Sequence, residues 1–262
     1  MPRLPANNNH GPFATLWLLN GSQVQEDDLA FFAARLGASE AHRSSSFTRP
    51  ERQRQFLLGR ILLRIAVADL TGLSFDEVHV TERPGKSPQL IFRDRQRLFA
   101  NFSLSHSREW VACATSPQAT LGLDIEVIDS RRDIFGISKI AFEPIEYSWL
   151  VSRPDAERLS AFYSLWSARE ALFKLQCNLG YETSLSPFVG DKNASIFQCN
   201  GWHRYQLPIG NLSVEVFSDR QLSRLRQRIL SGLTRADLDN GAGEFRCALS
   251  DSSECPSQTK QP

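Results

Sequence analysis

A chain of 262 residues, 41% apolar and 23% charged, has the composition of an ordinary globular protein and is long enough for one large domain or two modest ones. Its formal net charge of +1 offers no overall field for nucleic acid or a membrane surface, so neither is expected as a partner, and any polyanion must be met by a local group of cations. The five cysteines (Cys113, Cys177, Cys199, Cys247, Cys255) lie far apart without a C-x-x-C pair, which argues against a disulfide framework or a zinc site and suits a reducing cytosol.

The first apolar run, Leu16-Trp17-Leu18-Leu19, reads as an opening strand from Ala14, too short for a signal segment or a membrane span. A Gly21-Ser22 turn follows, then helical spacing from Asp27 to Leu36, closed by Gly37, and a second helix from Ser39 through His42 and Arg43. Pro50 fits the first turn of a long helix over 49–70 that stops at Thr71-Gly72. On it Phe56, Leu57, Ile61, Leu63, Ile65 and Ala68 alternate with Arg52, Arg54, Arg60 and Arg64, arginines that either face solvent or meet phosphate groups, which suit the guanidinium fork. Strands are expected over 77–81 and 89–92, flanking the turn Pro84-Gly85-Lys86-Ser87-Pro88. Two more, over 100–104 and 110–114, form a hairpin with Ser105-His106-Ser107 as its bend and His106 at the tip. The loop at Pro117 marks a seam.

Beyond it, Leu121-Gly122-Leu123-Asp124-Ile125-Glu126-Val127-Ile128 reads as one strand with Leu121, Leu123, Ile125 and Val127 on one face. The opposite face carries Asp124 and Glu126, roughly 7 Å apart at the two-residue spacing of a strand. Two readings are open: a solvated face of an edge strand, or a shelf for a hard divalent cation, which neutralises paired carboxylates and is held by oxygen ligands and substrate phosphates. Helices are expected over 134–141, 144–150 and 156–177, and strands over 195–198, 202–206, 212–217 and 245–249. The polar segment 250–262 reads as a disordered tail. The sum is an α+β chain.

On the helix around Phe162–Lys174, an apolar stripe of Phe162, Leu165, Trp166, Leu172 and Phe173 has Arg169 near its middle, with Glu170 at its edge and Lys174 one turn further on. A buried charge needs a partner, so Arg169 is out of place in a purely structural helix, although Glu170 and Lys174 also make sense as a surface i,i+4 pair. Taken together, Asp124, Glu126 and Glu170 supply an acidic pole. Lys86, His106, Lys174 and some of Arg43, Arg52, Arg54, Arg60 and Arg64 supply a basic one, a layout that suits transfer or hydrolysis at phosphate. The chain lacks a P-loop, a Gly-x-Gly-x-x-Gly fingerprint and a Gly-x-Ser-x-Gly elbow.

These residues in this order resemble the 4′-phosphopantetheinyl transferases, specifically the long, surfactin/enterobactin-synthase-activating type. The resemblance lies in Gly122-Leu123-Asp124-Ile125-Glu126, Phe142-Glu143-Pro144-Ile145-Glu146, Trp166-Ser167-Ala168-Arg169-Glu170-Ala171-Leu172-Phe173-Lys174, Leu104-Ser105-His106-Ser107, Gly85-Lys86-Ser87-Pro88 and Gly59-Arg60-Ile61-Leu62-Leu63-Arg64. It covers roughly residues 40–190, with two departures: Arg169 stands where the family pattern has lysine, and Ser87 is inserted in the Gly-Lys-Pro turn.

The resemblance implies two similar α+β halves related by a pseudo-two-fold, residues 1–118 binding coenzyme A and residues 119–249 holding metal and catalytic residues, in a cytoplasmic monomer. It implies transfer of the phosphopantetheine arm of coenzyme A to a serine of an apo acyl or peptidyl carrier protein. Asp124, Glu126 and Glu170 would hold Mg²⁺ or Mn²⁺. Glu170 would act as base and Lys174 would sit near the leaving phosphate. Ser105 and His106 would contact the diphosphate, Lys86 the adenine end, and Arg43 and Arg60 the 3′-phosphate. The competing expectations are a Mg²⁺-dependent phosphodiesterase or nuclease built on the same carboxylates, and a coenzyme A-binding homologue without turnover.

Overall fold

The computed structural model describes residues 11–83, 85–92, 100–181, 201–235 and 247–248. The polypeptide builds a five-stranded sheet from β1 (Phe13–Asn20), β4 (Asn101–Ser107), β5 (Trp110–Ser116), β9 (Arg224–Leu230) and β10 (Cys247–Ala248), in the order β10-β9-β1-β5-β4. A second sheet is β6-β8-β7, from β6 (Leu121–Val127), β7 (His203–Ile209) and β8 (Leu212–Ser218), and a separate hairpin pairs β2 (His79–Arg83) with β3 (Lys86–Ile91). The helices are α1 (Glu26–Ala33), α2 (Ala38–Ser45), α3 (Pro50–Thr71), α4 (Ile134–Ala141), α5 (Pro144–Ser152) and α6 (Asp155–Leu179). The class is mixed α+β, as expected.

The alternation of β1 and β5 gives the large sheet two apolar faces. Trp17, Leu19, Val111 and Cys113 face α3 residues Leu58, Ile61, Leu62 and Ile65. Leu16, Leu18, Ala112 and Ala114 turn the other way, onto Leu121, Leu123 and Ile125 of β6 and Val214 and Val216 of β8. The far face of the small sheet is covered by α6, whose Ala168, Ala171, Leu172 and Leu175 pack with Phe217. The order is thus helix, sheet, sheet, helix, with β6 in the interior. Both long helices have the ends their sequences dictate: Pro50 opens α3, and Gly72 (φ 75°) and Gly180 (φ 84°) close α3 and α6 in the left-handed region.

One glycine brings the layers together at the site. A Cβ at Gly122 would lie 2.0 Å from the Ala171 carbonyl oxygen and 2.6 Å from the Leu175 nitrogen. Only a bare backbone therefore lets α6 lie on β6 beside Asp124, because both obstacles are main-chain atoms that cannot rotate away.

Several expectations are corrected. Ser105, His106 and Ser107 are the end of β4 rather than a bend; the turn is at Arg108 (φ 52°) and Glu109, fixed by the Gly21 N–H donating to Glu109 O at 2.7 Å. Lys86 begins strand β3 instead of sitting in the turn. The segment expected as a strand from Glu77 opens with a short 3₁₀ turn at Phe75–Glu77 before β2. Phe173 is 47% exposed, and the buried stripe of α6 runs through Ala168, Ala171 and Leu175. Strand β9 was not expected. Its Arg224, Arg226 and Arg228 mask the pattern, and it is stabilised by parallel pairing with β1 and by Arg228 stacking over Trp17. The strand expected at 195–198 and the tail 250–262 lie outside the described residues, and only 247–248 of the segment 245–249 are described.

Candidate active site

Asp124 and Glu126 project from the α6 side of β6, opposite Glu215 and Ser213 of β8 in the ladder. The other edge of β6 is met by side chains. The hydroxyls of Ser103, Ser105 and Ser107 on β4 accept from the N–H groups of Leu123, Ile125 and Val127 at 2.9, 3.3 and 3.0 Å. Two of these hydroxyls donate onward, Ser105 to Asp124 Oδ1 at 2.9 Å and Ser107 to Glu126 Oε2 at 2.8 Å. Serines two apart on one strand thus match carboxylates two apart on the next, and the Ser105 and Ser107 hydroxyls both donate and accept.

From α6, Lys174 reaches down to the same place. Its Nζ donates to Asp124 Oδ1 at 2.9 Å, to Leu123 O at 2.9 Å and to Ser105 Oγ at 3.1 Å. Glu170, one turn earlier, is exposed, and the Trp166 indole a further turn back lies near Glu126. α6 therefore runs antiparallel to β6, and Glu170 stands between the levels of Asp124 and Glu126.

The three expected ligands do not form a closed cluster: among the described residues no three His, Cys, Asp or Glu side chains converge to hold a metal. The physical reason is visible at each carboxylate. Lys174 takes Asp124, Arg132 stands 4.0 Å from Glu126, and like charges give Glu170 no reason to close on the pair. The donor set nevertheless suits a hard cation. Asp124 is 5% exposed and its Oδ2 is buried without a hydrogen-bond partner, an oxygen that a divalent cation would satisfy, with Glu126 and Glu170 as further carboxylates nearby.

Burial pushes the Glu126 pKa above the ordinary carboxylate range, the Ser107 hydrogen bond opposes this, and the Asp124 charge adds to it. A carboxyl whose pKa is raised on folding contributes stability below its unfolded pKa, and that contribution is lost as pH rises through the raised value. At pH 7 without divalent cations, Glu126→Gln is therefore expected to melt at a higher temperature than the wild type, with the difference shrinking toward pH 4. Parallel thermal melts at the two pH values check this.

Behind the shelf lie two buried carboxylates that sequence reasoning had not placed there. Glu146 of α5 is fully buried, accepts from the Glu143 N–H at 2.8 Å and is ion-paired with Arg169. This accounts for the charge in the middle of the α6 stripe: Arg169 neutralises Glu146, and its guanidinium carbon lies 5.9 Å from the Phe142 ring centroid, so two of the sequence motifs interlock here. Glu215 is likewise buried, held by Arg204 at 2.6 and 2.9 Å and by Ser164 at 3.1 Å. The usable signals were the Ser103-x-Ser105-x-Ser107 alternation and the lone acid in each apolar segment.

The N-terminal candidates are dispersed. Arg60 is 9% exposed with its fork closed on Glu82, Nε–Oε1 2.5 Å and Nη2–Oε2 3.0 Å. Arg64 is spent on Glu40 and Val78 O, and Arg54 on Glu26, Gly21 O and Val24 O. Arg43 and Lys86 are exposed. His106 presents an exposed edge on β4. The protein around its ring lowers its pKa, and Arg52 and Lys174 push the same way, so it is neutral at pH 7.

A family described as "4′-phosphopantetheinyl transferase, N-terminal" matches residues 23–118, and the 4′-phosphopantetheinyl transferase superfamily matches residues 120–205. The chain belongs to the 4′-phosphopantetheinyl transferase superfamily. It is 32% identical over 163 residues to the 4′-phosphopantetheinyl transferase HetI of Nostoc sp., covering 61% of this chain and 66% of that protein. It is 33% identical over 136 residues to the 4′-phosphopantetheinyl transferase psf-1 of Bacillus pumilus, covering 52% and 55% of the two chains. To the 4′-phosphopantetheinyl transferase Sfp of Bacillus subtilis it is 32% identical over 152 residues, covering 53% and 64%. The chain thus spans about two thirds or less of the length of these transferases. Asp124, Glu126, Glu170 and Lys174 fall in the superfamily match, and Arg43, Arg60, Lys86, Ser105 and His106 in the N-terminal transferase match.

Proposed function

We propose that this protein transfers the 4′-phosphopantetheine arm of coenzyme A to a serine of an apo acyl or peptidyl carrier protein, releasing adenosine 3′,5′-bisphosphate. The observation that carries the reading is the arrangement around Lys174: a cation on the Asp124 side of the acidic shelf, with the exposed Glu170 carboxylate one helical turn away. Asp124, Glu126 and Glu170 are the groups suited to hold Mg²⁺ or Mn²⁺, which when bound neutralises charge on the transferring phosphate.

The chain's own residues account for the rest. The carrier serine oxygen attacks the phosphorus bearing the pantetheine arm. A new P–O bond forms as the bond to the bridging oxygen of the diphosphate breaks, and the serine proton passes to Glu170 directly or through one water. Lys174 meets the leaving phosphate. The exposed His106 faces the diphosphate, Ser105 is committed beneath it to Ile125 N–H, Asp124 and Lys174, and the exposed Lys86 suits the adenine end. Arg43, exposed and with its guanidinium over the Phe47 ring, suits the 3′-phosphate better than Arg60, whose fork is taken by Glu82.

We read residues 1–118 and 119–249 as two halves in pseudo-two-fold relation; in support, each places one long helix, α3 or α6, against an antiparallel strand pair. The chain is read as a cytoplasmic monomer: Cys113 and Cys177 are free thiols, and no described helix is long and apolar enough to cross a membrane. The test is product release. Adenosine 3′,5′-bisphosphate is expected only when coenzyme A, Mg²⁺ and an apo carrier are all present. Release without the carrier, or cleavage of a dinucleotide, would point to a phosphodiesterase instead.

A further inference from the structure

Arg132 lies in the loop between β6 and α4. Its guanidinium carbon sits 5.2 Å from the ring centroid of Trp166 and 5.7 Å from those of Phe162 and Tyr163. Nη1 is 4.0 Å from Glu126 Oε2, a through-space pair rather than a hydrogen bond. The neighbouring arginines are differently disposed: Arg108 and Arg131 are both hydrogen-bonded to Asp129. Arg132 is thus held over aromatic faces, which attract a cation without fixing its direction, and it walls a cavity of about 390 Å³ together with Ser107, Arg108, Glu126, Asp129 and Tyr163.

Each shelf carboxylate therefore has one resident cation, Lys174 on Asp124 and Arg132 on Glu126. A divalent cation arriving at those oxygens repels both. Lys174 moves toward the leaving phosphate in the reading above; Arg132, 31% exposed and resting on aromatic faces, can turn into the cavity it walls. We propose that Arg132 is an exchange cation: it neutralises Glu126 until the metal binds, then turns into the cavity and meets the oxygens of the phosphate being transferred. This rests on the transferase reading and adds a residue to it.

The experiment measures Mn²⁺ binding to the whole protein by electron paramagnetic resonance, without coenzyme A, in the wild type, Arg132→Gln and Arg132→Ala. Losing a competing, partly exposed cation is expected to tighten Mn²⁺ about two- to fivefold in both variants. A merely structural arginine would leave the affinity unchanged or weaken it, and either result overturns the proposal. With saturating coenzyme A, Mg²⁺ and apo carrier, kcat is expected to fall about tenfold or more while KM for coenzyme A changes less, because the contact is made where charge develops. An unchanged kcat would remove Arg132 from the transferred phosphate. No Mn²⁺ binding by the wild type would overturn the metal reading and the exchange together; wild-type binding without tightening in the variants would overturn the exchange alone.

Discussion

Asp124→Ala is expected to lower carrier modification by roughly three orders of magnitude, about 4 kcal/mol of transition-state stabilisation. Asp124 is the most enclosed of the shelf carboxylates, and its Oδ2 is the buried oxygen with no protein partner. Its other oxygen positions both Ser105 and Lys174. Removing the side chain takes away the ligand and releases the cation placed for the leaving phosphate. Asp124→Asn is expected to lose nearly as much, because the amide keeps the shape but not the charge. The fold should tolerate both changes. The Lys174 side chain is 28% exposed and can turn to water, so the lost ion pair is worth about 1 kcal/mol or less. Initial rates together with thermal melts separate the two effects.

Arg169→Ala is expected to do the reverse, costing about 3–5 kcal/mol of stability by leaving the Glu146 carboxylate buried without its cation. Arg169→Lys keeps the charge and should lose far less, which fits a family pattern that has lysine at this position. The double variant Glu146→Met/Arg169→Met is expected to recover most of the loss, since an apolar pair of similar volume carries no uncompensated charge. Chemical denaturation of the wild type, Arg169→Ala, Arg169→Lys, Glu146→Met, Arg169→Met and the double variant gives the full cycle. A double variant no more stable than Arg169→Ala would show that the pair is needed for reasons beyond charge.

Helix α3 was legible because its ends carry local signals, Pro50 and Gly72, whereas α6, expected over 156–177, runs on to Leu179 before Gly180 closes it. Strand β6 was legible because its alternation is unbroken. What escaped depended on partners far away in the chain. β9 is a strand because β1 lies beside it, although its own residues alternate arginine with leucine and glutamine. His106 was expected in a bend because Ser-His-Ser reads as turn chemistry, yet those serines bond the β6 backbone and its carboxylates some twenty residues on. Arg60 was expected to meet phosphate because nothing near it in sequence shows that Glu82 takes its fork. The acidic shelf and the Glu170–Lys174 turn were both visible as residues; only the fold shows that Gly122 lets α6 bring them together.

The most direct measurement is the intact mass of an apo carrier protein incubated with this protein, coenzyme A and Mg²⁺, across carriers of the acyl and peptidyl kinds. At least one carrier is expected to gain the mass of a phosphopantetheine arm, and that gain should vanish when its acceptor serine is replaced by alanine or when the enzyme carries Asp124→Ala. Carriers that all keep their apo mass, with a folded enzyme and Mg²⁺ present, would contradict the account.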